Sequence, residues 1–169
     1  MTDQALQEIV REAMAAERNG YQFYSMAAER SDDPGARGAF SALAEDERRH
    51  HELLRTRYGE IVRGEPVDWS ELRGHEAASE GPGGFFSEAF HERLEGRHLE
   101  MSALAIGILL ERESIAFYSR SAAEASDPEV RAFFEGLAAW ENEHYQALLR
   151  QQDALKDEYW RANRFEPLL

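Results

Sequence analysis

The stretch "FSALAEDERRHHELL", residues 40–54, has helical periodicity, with Phe40, Leu43 and Leu54 recurring on one face. Glu47 and His50 complete the same stripe at steps of three and four, where further apolar side chains are expected. Burying an isolated carboxylate carries a large desolvation penalty, and an unpaired one takes up a proton instead. A helix that places an acid and an imidazole on its inward face therefore needs a compensating charge in the core.

Extending the comparison outward shows that the stretch occurs twice. Residues 13–54 align without a gap to residues 107–148 at a constant offset of 94. Glu17 pairs with Glu111, Phe23 and Tyr24 with Phe117 and Tyr118, Phe40 with Phe134, and Leu43 with Leu137. Glu47 pairs with Glu141, His50 with His144, and Leu54 with Leu148. Asp33 and Pro34 match Asp127 and Pro128, marking a turn in each half with an Asp cap and a proline at the first helical position. The spacing predicts helix one over 4–30, with Leu6, Val10, Ala13, Glu17, Tyr24 and Ala28 on its inward stripe, and helix two from about 34 to Tyr58. Helix three is expected from about Leu99 and helix four from the "SDP" turn to about Trp160. Between the hairpins, residues 59–98 contain Gly59, Gly64, Pro66, Gly74 and "EGPGG", so they read as a long connection with one short helix in "FFSEAFHERLEG". The fold class is all-α, a single domain over residues 1–169: a four-helix bundle of two repeated hairpins joined by a crossover connection.

The repeat converts one anomaly into a constellation. Glu17, Glu47, His50, Glu111, Glu141 and His144 all fall on inward stripes, while Arg18, Arg48, Arg49 and Arg112 lie beside them and are turned off the face by about 100° per residue. Four buried carboxylates without basic partners call for metal cations. Residues three apart on a helix share a face, so each Glu-x-x-His presents a carboxylate and an imidazole together. One Glu from each of two helices plus that pair from each of the other two is the ligand plan of di-iron and di-manganese bundles. Oxygen and imidazole donors suit iron or manganese, and zinc fits the same set.

Composition narrows the alternatives. No cysteine is present, which removes disulfides, thiolate-held metals and a cysteine nucleophile. The formal charge of -14 disfavours nucleic acid and anionic membranes and favours cations. No apolar run reaches the roughly 20 residues of a membrane span, and "MTDQALQEIVREA" lacks the pattern of a signal sequence. A soluble cytoplasmic protein is expected, with neither nucleic acid nor membrane as a partner.

The two-hairpin plan, the strings "ERNGYQFY" and "ERESIAFY", and the motifs "ERRH" and "ENEH" resemble the ferritin-like superfamily, and within it the rubrerythrin family. The resemblance implies a ferritin-like bundle with two irons, bridged by Glu47 and Glu141, with Glu17 and His50 on one metal and Glu111 and His144 on the other. It further implies reduction of peroxide or dioxygen with electrons from an external donor, rubredoxin-like or other. Rubrerythrins usually carry another carboxylate one turn after the third-helix ligand; Ser114 stands there in this chain, and Glu113 is expected off that face. With no cysteine-ligated rubredoxin domain, the chain resembles the stripped members of the family.

Three functions are open on this reading: an oxidoreductase, a ferroxidase handling Fe(II), and an interaction module with a structural metal. A homodimer is expected, and the long connection would allow hairpins to exchange between subunits. Tyr24 and Tyr118, two turns beyond Glu17 and Glu111, are candidates to hydrogen-bond a ligand carboxylate, to relay electrons, or simply to pack. His51, His75, His91 and His98 have no repeat partner and are expected to be solvated, as are Asp46, Glu100 and Glu143, which would at most steer cations inward. Trp160, Phe165 and Leu169 are expected to fold back onto the bundle.

Overall fold

Both inter-helix turns are built from the same parts. Asp33 caps the second helix, its Oδ1 accepting from Ala36 N at 2.8 Å, and Asp127 accepts from Glu129 N at 2.8 Å in the second hairpin. Arg37 then reaches back to Ser31 O at 2.8 Å, and the repeat-related Arg131 to Ala125 O at 2.9 Å, satisfying carbonyls that the ending helices leave without partners. In the computed structural model, which describes residues 2–69 and 98–162 and side chains as far as 156, these turns join four helices. They are α1 (Asp3–Arg30), α2 (Pro34–Arg63), α3 (His98–Glu124) and α4 (Pro128–Ala162). No strand occurs among the described residues. The architecture is the all-α four-helix bundle expected from the repeat.

One boundary differs from the sequence reading. The second helix does not stop at Tyr58 but passes through Gly59 and ends at Gly64, whose φ of 66° places it in the left-handed region. An interior glycine costs a helix only about 1 kcal/mol relative to alanine, whereas a left-handed residue ends it. The expected short helix in "FFSEAFHERLEG", His75, His91, Phe165, Leu169 and the side chain of Trp160 lie outside the described residues.

Each hairpin packs extensively within itself, and α1 meets α3 across the bundle. The apolar core falls into two clusters. One gathers Tyr24, Phe40, Leu43, Leu104 and Leu148, and the other Val10, Leu54, Tyr118, Phe134 and Leu137. Repeat symmetry extends to ring packing: Tyr24 stacks on Phe40 at 6.3 Å between centroids, and Tyr118 on Phe134 at 6.2 Å. A layer of buried acids and histidines lies where these two tyrosines point their hydroxyls.

Candidate metal centre

All six inward-facing ionisable residues meet at this level. Glu17, Glu47, His50, Glu111, Glu141 and His144 are each at most 5 % exposed. Their potential ligand atoms form two groups, Glu17, Glu47, His50 and Glu141 in one and Glu47, Glu111, Glu141 and His144 in the other, with all atoms of a group within 4.8 Å of one another. Glu47 and Glu141 belong to both. Each hairpin thus supplies three members of one group and a single carboxylate to the other.

Hydrogen bonds fix the outer carboxylates across the hairpins. Tyr24 on α1 donates to Glu111 Oε1 on α3, and Tyr118 on α3 donates to Glu17 Oε1 on α1. The tyrosines therefore hold the acid of the opposite repeat, not the one two turns away on their own helix. His50 Nδ1 lies 3.1 Å from Glu17 Oε2 and 3.1 Å from Glu141 Oε1. His144 Nδ1 faces Glu141 Oε2 at 3.6 Å, Glu47 Oε1 at 3.8 Å and Glu111 Oε2 at 3.9 Å. Both imidazoles turn Nδ1 into the cluster.

Two acids read from sequence as part of a solvated face are not solvated. Asp46 is largely covered, and its Oδ2 accepts from His144 Nε2 at 3.3 Å. Glu100 is buried, and its Oε1 accepts from Asp32 N at 3.2 Å, joining α3 to the first turn. Glu143 and His98 are exposed as expected, and His51 is half-buried. The arginines beside the ligand positions stay outside: Arg48 pairs with Glu45 and Glu52, and Arg49 with Glu45 and Asp46.

The electrostatics are those of a cluster short of positive charge. Burial, reinforced by Glu141 and the other acids, pushes the Glu47 carboxyl well above its ordinary range, and burial with Glu141 does the same to Glu111. Burial opposes charge on the imidazoles, yet Glu17 and Glu141 push His50 up to about 10, and Asp46, Glu141 and Glu111 raise His144. Glu141 goes the other way: burial works against its charge, but His144 and His50 hold it well below the usual carboxylate range. Both tyrosine hydroxyls are raised by burial and by the neighbouring acids, so they remain donors. In the metal-free protein, protons do the neutralising.

That arrangement leaves groups unsatisfied. Both oxygens of Glu141, together with His144 Nδ1, are buried without a well-aligned hydrogen bond, although His50 Nδ1 approaches Oε1 at 3.1 Å. Buried polar atoms are rarely orphaned in this way, and here the orphans belong to residues of the two carboxylate–imidazole groups. The donor set fits a pair of divalent cations of the iron or manganese type.

A cavity of about 390 Å³ between α1 and α3 reaches the cluster, with Gly20, Glu47, Tyr24, Glu111 and Ser114 in its lining and Glu12, Glu113 and Arg120 also contributing. Gly20 is what lets Glu47 lie there, since a Cβ at that position would stand 2.6 Å from Glu47 Oε2. Ser114, the repeat partner of Gly20, puts a small hydroxymethyl side chain in the lining.

A four-helix bundle with two overlapping carboxylate–imidazole groups at its centre places the protein among bundles built around a buried acid–histidine cluster. The rubrerythrin family model matches residues 1–58 and 79–151, and the chain belongs to that family. Among solved structures it is similar to a hypothetical protein from Pyrococcus furiosus, with a TM-score of 0.67 and 23 % identity over 93 % of this chain and 94 % of that one; the likeness concerns the fold. No curated protein matches the chain. No helix among the described residues is long and apolar enough to cross a membrane.

Proposed function

We propose that the protein is a di-iron oxidoreductase that reduces peroxide or dioxygen. Glu47 and Glu141, common to both groups, would be shared by the two irons, with Glu17 and His50 serving one and Glu111 and His144 the other. The observation that carries this reading is the division of six buried side chains into two four-member groups sharing Glu47 and Glu141. Iron held at both positions supplies two electrons to one O–O bond in a single encounter.

The chain's own residues supply the rest. Tyr24 and Tyr118 hold Glu111 and Glu17 in place through their hydroxyls, so the outer carboxylates present their remaining oxygens inward. The cavity past Gly20 and Ser114 would admit a small oxidant, and the two apolar clusters flank the carboxylate layer on its other sides. Cleavage of peroxide to two waters consumes two protons and two electrons. The ionisable lining of the cavity, Glu12 and Glu113, offers carboxylates near its entrance for the protons. The electrons would come from a donor outside the bundle, whose residues include no cysteine to hold an iron for transfer.

The same two acids in the cavity lining, with the formal charge of -14, also favour a ferroxidase that draws Fe(II) inward and passes it on. Anaerobic loading with Fe(II), followed by rapid mixing with stoichiometric hydrogen peroxide or with dioxygen, separates the two. Faster oxidation by peroxide, with iron retained and turnover under added reductant, is expected for the oxidoreductase. Faster oxidation by dioxygen with iron leaving would establish the ferroxidase instead.

A further inference from the structure

Among the repeat-related positions that differ, one pair lies directly against the two histidines of the site. Residue 46 on α2 and residue 140 on α4 are repeat-related and stand in corresponding places, each beside the histidine of the opposite hairpin. Asp46 accepts from His144 Nε2 at 3.3 Å. Trp140 instead lies flat on His50, with ring centroids 4.5 Å apart and planes within 14°. The ion pairs of His50 among the described residues are with Glu17 and Glu141 alone, both through Nδ1.

These two supports act differently on a histidine that turns Nδ1 to a metal. A carboxylate on the far nitrogen fixes the tautomer, orients the ring and makes the imidazole a stronger donor, while adding a negative charge near the cation. An indole face orients the ring by stacking and adds no charge, and its nitrogen can only donate. Otherwise the two groups are matched, with three carboxylates and one imidazole each and two carboxylates in common. Arg49 also contacts Asp46, at 3.3 Å, but its side chain is 52 % exposed, so solvent screens most of its compensating charge.

Resting on the two-metal reading above, we propose that the two positions are unequal. Asp46 makes the position at His144 the tighter one, filled first and retained, and Trp140 leaves the position at His50 the weaker one, filled second and open to exchange. Asp46 and Trp140 are positioning residues, acting through the histidines they support.

Titrating the metal-free protein anaerobically with Co(II) tests this, with calorimetry for the affinities and hyperfine-shifted proton NMR for the location. Removing such a carboxylate partner typically costs about 10- to 100-fold in metal affinity. The wild-type protein should therefore bind two Co(II) with the first tighter by about tenfold or more. One shifted imidazole N–H signal should appear with the first equivalent, and Asp46→Asn should move it. In Asp46→Asn the tighter affinity falls toward the weaker one, which itself is unchanged. Trp140→Asp should do the converse and tighten the second site. Equal filling of both positions in the wild type, or an equal loss at both in Asp46→Asn, would overturn the proposal. Binding of only one Co(II) would remove the two-metal reading and this inference with it.

Discussion

Tyr24 and Glu111 lie 87 residues apart in sequence, on α1 and α3, yet the tyrosine hydroxyl donates directly to Glu111 Oε1 inside the bundle. With its repeat counterpart, Tyr118 to Glu17, this bond ties together hairpins that otherwise meet mainly along α1 and α3. Tyr24→Phe keeps the ring on Phe40 but leaves a buried carboxylate oxygen without its donor. A stability loss of about 1–3 kcal/mol is expected, read as a lower denaturant midpoint in the metal-free protein. Tyr118→Phe should match it.

The shared acids should behave unlike the outer ones. Glu47→Ala and Glu141→Ala each remove a member of both groups, so neither variant should retain two metals per chain. Glu17→Ala and Glu111→Ala each touch one group and should retain one metal. Elemental analysis after loading and desalting decides it, and two metals per chain in Glu47→Ala would sink the bridging role.

Gly20→Ala isolates the role of space. Alanine is the better helix former by about 1 kcal/mol, so helix content should hold, while the added Cβ, 2.6 Å from Glu47 Oε2, should displace that carboxylate. Metal content below two per chain is expected. Gly38→Ala is the control, with nothing within 4 Å of its Cβ; it should leave metal binding intact and raise the melting temperature.

Stability of the metal-free protein should fall as pH rises. His50 moves from its ordinary 6.5 to about 10 in the fold, so the native state binds its proton more tightly than the unfolded chain does. That contribution is complete below pH 6.5 and is lost as pH climbs through about 10. His144 shifts in the same direction, and the raised Glu47 and Glu111 add losses that begin above their ordinary 4.5. Glu141, which is lowered, works the other way: its contribution is complete above its ordinary 4.5 and is lost only as pH falls below it, so it stays constant from pH 6 to 10. Denaturant midpoints at pH 6, 8 and 10 should decline steadily without metal. With metal in place of the protons, the decline should largely vanish.

The helices and the six clustered residues were legible because both rest on periodicity. Stripe positions at steps of three and four, repeated at an offset of 94, place Glu47, His50, Glu141 and His144 inward without any knowledge of how the helices pack. What lay off the stripe was not legible. Asp46 sits one residue before Glu47, about 100° around the helix, and only the facing histidine of α4 gives it a partner. Glu100 is buried by the first turn, an element remote in sequence. The crossed pairing of the tyrosines likewise depends on α1 meeting α3. The end of α2 was misplaced because Gly59 and Gly64 look alike as letters, and only the backbone dihedral distinguishes them. The repeat does not single Asp46 out either, because its neighbours at 45, 48 and 49 also differ from their partners Ala139, Asn142 and Glu143.

Each hairpin carries three members of one group and lends a single carboxylate to the other. A lone hairpin of this kind could complete its centre only by meeting a second copy of itself, and any change in it would then appear twice, once on each side of the symmetry axis. Joining two copies in one chain removes that obligation. Either half can be altered while the other is held constant, so an inherited pair of identical ions can become a resident ion and a working one without a second gene.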